Sequence, residues 1–136
     1  GIRDVERSRG LGDVYKRQEF TVTIIGNKCY PVIEIKTQND FYDYDAKYIS
    51  DDTILDQAKL SDNELNIIND IALRAFCALK CSGWARVDII QDINGDFNVI
   101  EINTVPGMTS HSCVPKSGGF MGLSYQDVIK EILSNV

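Results

Sequence analysis

Residues 83–115 read GWARVDIIQDINGDFNVIEINTVPGMTSHSCVP, and the fold turns on how they pair. Two strand-like runs, residues 84–91 and 97–104, flank Asp92-Ile93-Asn94-Gly95-Asp96. Asn-Gly between alternating apolar runs is the strongest short-range sign of a two-residue hairpin turn, because both central residues take positive φ. With Asn94 and Gly95 as the turn, Ile93 pairs with Asp96. The same register sets Asp88 opposite Glu101 and Arg86 opposite Asn103. Val87 then faces Ile102, and Ile89 faces Ile100, on the other side of the sheet. One face is apolar. The other gathers two carboxylates, an amide and a guanidinium. Like charges directly opposite destabilise a ladder unless something neutralises them. A hard divalent cation is the natural neutraliser, so Asp88, Glu101 and Asn103 are candidate metal ligands. A solvated polar face with ordinary acids is the plainer alternative. Depletion of Asp and Glu within strands weighs against it.

A chain of 136 residues suits one domain with a modest core. Its 43% apolar and 25% charged content is that of an ordinary globular protein. No apolar run approaches the ~20 residues a membrane helix needs, and no secretory leader is visible. Formal net charge is −6. Residues 1–18 contribute +2, leaving −8 over residues 19–136. That balance argues against broad binding to nucleic acid or to an anionic membrane. Cys29, Cys77, Cys81 and Cys113 show neither a CxxC pair nor zinc spacing, which points to reduced, packed thiols.

Residues 1–18, GIRDVERSRGLGDVYKRQ, differ from all that follows: mixed in charge, poor in apolar residues, without period. They read as a disordered tail or as a stretch foreign to the native protein, and the abrupt strand-like start at Glu19 favours the second. Residues 19–35 read as a hairpin turning at Gly26-Asn27. Residues 36–60 read as a long polar connection, dense in aromatics and aspartates, of the kind that carries function. Ser61 and Glu64 form a capping box ahead of an amphipathic helix, with Gly83 as its stop. Residues 105–123 read as a Gly- and Ser-rich loop. Ser124 and Asp127 cap a last helix that turns Val128, Ile129 and Ile132 inward. The fold class that follows is α+β, an antiparallel sheet with helices on one face.

Several residues could serve chemistry on such a frame. Arg86 could hold a phosphate or an oxyanion, or merely pair with Asp88 or Glu101. Lys47 lies among aspartates in FYDYDAKY, where a lid is the functional reading and a surface lysine the plain one. The Pro106–Ser112 stretch offers glycine, hydroxyls and backbone N–H groups suited to an anion, or is simply a connection. His111, the single histidine, has no triad partners and receives no role.

The combination of EFTV, FYDYDAKYISDDT, GWARVDI and EINTVPGMTSHSCVP closely resembles the C-terminal part of D-alanine–D-alanine ligases, enzymes of the ATP-grasp superfamily. The resemblance covers residues 19–136 and implies an ATP-grasp C-terminal domain. It implies that Asp88, Glu101 and Asn103 hold two Mg²⁺ or Mn²⁺ ions, with Glu101 bridging. It implies that Glu19 contacts the ATP ribose, that Lys47 reaches the phosphates, and that Tyr48 helps close the site. Arg86 and the Gly107 N–H are implied stabilisers of the anionic intermediate. Ser112 and the Cys113 N–H are implied holders of the second D-alanine's carboxylate. The implied reaction joins two D-alanines through an acyl phosphate, for peptidoglycan, in a bacterial cytoplasm. A homodimer of the full-length enzyme is also implied.

Some positions depart from the family pattern. Nothing here resembles the family's N-terminal and central domains, so the chain reads as a C-terminal fragment, inactive alone. Gln57-Ala58 stands where Pro-Ala is common, and Cys113 where leucine is usual. Gly118-Gly119 and Met121-Gly122 are also less typical. A D-alanine–D-lactate type ligase is one alternative, which Tyr48 in an intact DAKY motif disfavours. A nucleotide-binding module without chemistry is the other.

Overall fold

The computed structural model describes residues 18–37 and 53–136. Among them lie six strands: β1 (Gln18–Ile25), β2 (Lys28–Cys29), β3 (Ile33–Thr37), β4 (Thr53–Gln57), β5 (Trp84–Gln91) and β6 (Phe97–Asn103). Three helices complete them: α1 (Asp62–Ala78), α2 (Cys113–Phe120) and α3 (Tyr125–Ser134). The strands make one antiparallel sheet in the order β4-β3-β1-β5-β6, with β2 also paired to β1. The α+β class and the antiparallel sheet are as the sequence implies.

β1 is the central strand, and its alternation sorts the two faces. Phe20, Val22 and Ile24 join Ala85, Val87 and Ile89 of β5 in a core covered by Ile68, Ala72 and Phe76 of α1. These side chains are all essentially buried, and each large one contributes about 1.5–3 kcal/mol of transfer free energy. The Phe97 ring meets Phe20 edge-on at 5.9 Å. Ile25 and Tyr30 belong to a second cluster, with Val114 of α2 and Val128 and Ile132 of α3. Helices therefore flank the sheet on both faces rather than on one. The reason is that β1 is apolar at consecutive positions 24 and 25, so both faces need cover.

The capping boxes form as expected. Ser61 Oγ accepts from the Glu64 N–H, while Glu64 Oε1 accepts from the Ser61 N–H, both at 3.2 Å. Ser124 and Asp127 make the equivalent pair. The end of α1 differs from expectation. Lys80, at φ +54, takes the left-handed position, and the Cys81 N–H reaches back to the Phe76 carbonyl at 3.0 Å. Gly83 does not stop the helix. It serves the entry to β5, where its carbonyl accepts from the Gly26 N–H at 2.7 Å.

Two connections hold elements that their sequences concealed. Residues 36–60 are not simply a polar link, since β3 runs to Thr37 and Thr53–Gln57 forms β4. TILDQ is an edge strand with Asp56 and Gln57 exposed, so it lacks the apolar alternation of an inner strand. Residues 105–123 are not wholly loop, since α2 occupies Cys113–Phe120. Two adjacent glycines and a proline give that helix poor intrinsic propensity. Pro115 is tolerated because it sits in the first turn, where its N–H has no helical partner to lose. Gly118 earns its place by contact: a methyl there would lie 2.3 Å from Val128 Cγ2, so only glycine lets α2 close on α3.

At the N-terminal boundary, β1 begins at Gln18, paired with Gln91, one residue before Glu19. Gly118→Ala is expected to cost about 1–3 kcal/mol through overpacking. Gly119→Ala, with nothing within 4 Å of the added methyl, should instead gain roughly 0.5–1 kcal/mol. Denaturant midpoints of the two variants check this pair of opposite signs.

Candidate active site

The polar cluster sits where β1, β5 and β6 lie side by side. Asp88 pairs with Thr21 on one flank and Glu101 on the other. Arg86 pairs with Thr23 and Asn103. The expected facing pairs Asp88/Glu101, Arg86/Asn103 and Val87/Ile102 are all present. They arise by a different route. The turn is a three-residue one, with only Gly95 at positive φ, and the Asp92 N–H donating to the Asp96 carbonyl at 2.9 Å. Near the turn Gln91 faces Phe97 and Ile89 faces Val99, so the expected Ile93/Asp96 and Ile89/Ile100 pairs do not form. A register shift between Asp88 and Ile89 then skips Ile100 and restores the pairing beyond it.

Asp88 is fully buried. Arg86 Nε donates to Asp88 Oδ1 at 3.0 Å, and Arg86 Nη2 to Oδ2 at 3.1 Å. This two-pronged grip is the strong form of a charge-assisted pair. Thr21 Oγ1 adds a third donor, 2.8 Å from Oδ1. Arg86 Nη2 also lies 4.0 Å from Glu101 Oε1, and the Glu101 side chain is 44% exposed. Burial works against the guanidinium's charge, but Asp88, Cys113 and Glu101 outweigh it and raise the Arg86 pKa. Asn103 Oδ1 accepts from the Val105 N–H at 3.0 Å, which fixes the amide at the strand's exit.

Two further elements converge here. Glu19 is buried on the same face of β1 as Thr21, two residues along. Cys113 begins α2 and is buried as well. Burial pushes the Cys113 thiol up; Arg86 draws it down, and Asp88 and Glu19 raise it further. Those couplings put Glu19, Arg86, Asp88 and Cys113 in one electrostatic neighbourhood. The Thr109–Ser112 turn precedes α2. Ser112 Oγ accepts from the Thr109 N–H at 3.0 Å and lies 2.8 Å from Thr109 Oγ1. A methyl at Gly107 would sit 3.1 Å from Ser112 Oγ, so Gly107 packs against that hydroxyl. The Tyr125 hydroxyl donates to the Met108 carbonyl and ties this loop to α3.

The structure thus brings together Glu19, Arg86, Asp88, Glu101, Asn103 and Cys113, with Gly107 and Ser112 in the loop that leads to Cys113. Lys47 and Tyr48 lie outside the described residues. Among the described residues no group of three His, Cys, Asp or Glu side chains forms a ready-made metal cluster. The oxygen set is two carboxylates and an amide. All four cysteines are free thiols. Burial pushes Cys29 up to about 11, as suits a packed thiol, whereas Cys77 is exposed on α1 and is not packed.

The family described as D-ala D-ala ligase C-terminus matches residues 12–134. The chain belongs to this family. D-alanine–D-alanine ligases of Mannheimia succiniciproducens and Actinobacillus succinogenes are each 41% identical to it over 116 residues. Those matches cover 85% of the chain and 38% of each relative, so the chain spans well under half the length of the curated ligases it matches. The solved D-alanine–D-alanine ligase of Bacillus anthracis complexed with ATP superposes with a TM-score of 0.74 at 32% identity, covering 88% of this chain and 38% of that one. VanG D-Ala:D-Ser ligase from Enterococcus faecalis gives 0.72 at 29%, covering 86% and 35%. The ATP-grasp likeness agrees with the antiparallel sheet and its α+β class.

Thr21 is the participant that the ligase motifs left unnamed. The alternation of EFTVTII does place Glu19, Thr21 and Thr23 on one face. What could not be read locally is that β1 pairs with β5, 67 residues away, so that Thr21 meets Asp88.

Arg86→Met removes the guanidinium from a buried carboxylate and should cost about 3 kcal/mol. The double variant Arg86→Met/Asp88→Asn should recover most of that loss, because no buried charge is then left unmatched. Urea unfolding of both variants measures the difference.

Proposed function

We propose that this chain is the nucleotide- and metal-holding C-terminal portion of an ATP-dependent D-alanine–D-alanine ligase. The observation that supports this most strongly is the facing pair Asp88/Glu101 beside Arg86, on the face that also bears Glu19 and the start of α2. A singly charged guanidinium already sits on Asp88, so the face accepts positive charge, of which a divalent ion would bring more. The oxygen-only donors suit a hard ion that takes its remaining ligands from water and phosphate. Asp88, Glu101 and Asn103 would hold two Mg²⁺ or Mn²⁺. When bound, the ions neutralise charge on the transferring phosphoryl group.

The chain's own residues divide the rest of the work. Glu19 contacts the ATP ribose, and Lys47 reaches the phosphates. The carboxylate of one D-alanine attacks the γ-phosphorus; the bond to ADP breaks and an acyl phosphate forms. The amine of a second D-alanine, held through its carboxylate by Ser112 and the Cys113 N–H, then attacks the acyl carbon. Phosphate leaves and the amine loses a proton. Arg86 and the Gly107 N–H stabilise the oxyanion of that step. Tyr48 helps close the site, which keeps water from the acyl phosphate. The product feeds peptidoglycan synthesis in a bacterial cytoplasm, and the full-length enzyme works as a homodimer.

Because the chain spans about 38% of its relatives, the first D-alanine's binding site and the cover over the phosphates belong to the remainder of the full-length protein. The isolated chain should show no ligation. In the full-length protein, Asp88→Asn, Glu101→Gln and Asn103→Ala should each lower ligation by on the order of 100-fold. Persistence of ligation in all three would show that the metal assignment is wrong. Product analysis with D-alanine and D-lactate as competing acceptors decides between the ligase types, and a dipeptide is expected.

A further inference from the structure

We infer that Thr21 is the positioning residue for Asp88, setting the orientation in which that carboxylate meets a divalent ion. The inference rests on the ligase reading and adds to it a residue outside the metal motif. Thr21 is fully buried, and its Oγ1 donates to Asp88 Oδ1 at 2.8 Å across the β1–β5 ladder. Among the described residues, the side-chain donors on Asp88 are Thr21 and Arg86 alone. They differ in what they do when a cation arrives. The guanidinium is itself a cation, so a second cation on the same carboxylate repels it and weakens its grip. The hydroxyl is neutral and occupies one of about four lone-pair directions on the carboxylate, so it stays. A carboxylate's terminal torsion is broad and weakly held by its own chain. Beside a weakened Arg86, Thr21 is the neutral group that still fixes it.

The strand supplies its own control. Thr23, two residues along on the same face and opposite Arg86, is equally buried, yet its Oγ1 has no hydrogen-bond partner among the described residues. A buried threonine here does not by itself imply a bond. The bond at position 21 is specific to Asp88.

The test titrates Mn²⁺ alone against the full-length protein that carries this chain, with free ion read by electron paramagnetic resonance. Thermal unfolding of each variant is recorded alongside. Thr21→Val and Thr21→Ala should each weaken Mn²⁺ binding by about 10–100-fold. Thr21→Ser, which keeps the hydroxyl, should stay within about threefold of the native protein. Thr23→Val should bind as the native protein does. Valine and alanine differ in volume, so a loss common to both and rescued by serine follows the hydroxyl rather than packing. Asp88→Asn separates the two levels of the argument. If Asp88→Asn loses the ion while Thr21→Val and Thr21→Ala keep it, the role of Thr21 is refuted and the metal site stands. A serine variant as weak as alanine refutes it too. If Asp88→Asn binds Mn²⁺ like the native protein, the metal reading falls and takes Thr21 with it.

Discussion

A carboxylate with no exposure has to be matched by donors, and Asp88 imposes that demand on the centre of the sheet. Two strands answer it, and a third adds a second acid. Arg86 reaches from the same face of the same strand, Thr21 from β1, and Glu101 stands opposite on β6 as a second acid near the same guanidinium. The start of α2 closes over the cluster with Cys113, whose thiol feels Arg86, Asp88 and Glu19. Among the described residues, Arg86 is the cation that offsets part of this charge.

The shift at Ile100 is what makes the acids meet. The three-residue turn alone would set Asp88 opposite Ile100 and Glu101 opposite Val87. Glu101 would then project to the apolar face under α1, because a one-residue slip exchanges the faces of a strand. Skipping one residue in β6 returns Glu101 and Asn103 to the polar face while Val99 stays with the core. Bulges re-aim side chains next to functional sites in this way.

Much of the site was legible because it lies within one hairpin. The facing of Asp88 with Glu101 followed from alternation and a turn, although the assumed two-residue turn and continuous ladder are replaced by a longer turn plus a bulge. Both capping boxes were legible for the same reason: their partners are three residues apart. What escaped detection depended on distant partners. β4 exists because β3 offers it an edge, and TILDQ carries little signal of its own. α2 is a helix despite Gly118 and Gly119, since Gly118 is required by contact with Val128. Cover on the second face follows from Ile25 meeting Val114 and Val128, contacts that no local pattern reveals. The family resemblance supplied roles for Lys47 and Tyr48 that lie outside the described residues.

The central claim is that Asp88, Glu101 and Asn103 form the cation site. Paramagnetic broadening of backbone amide resonances by Mn²⁺ tests it directly. The chain contains a competing acidic spot, the turn at Asp92 and Asp96, where Asp92 Oδ1 already accepts from two backbone N–H groups. The account predicts that sub-stoichiometric Mn²⁺ erases the amide signals of residues 21, 88, 101 and 103 first and leaves residues 92–96 visible. Broadening centred on residues 92–96, with the signals of 88 and 101 intact, would contradict it.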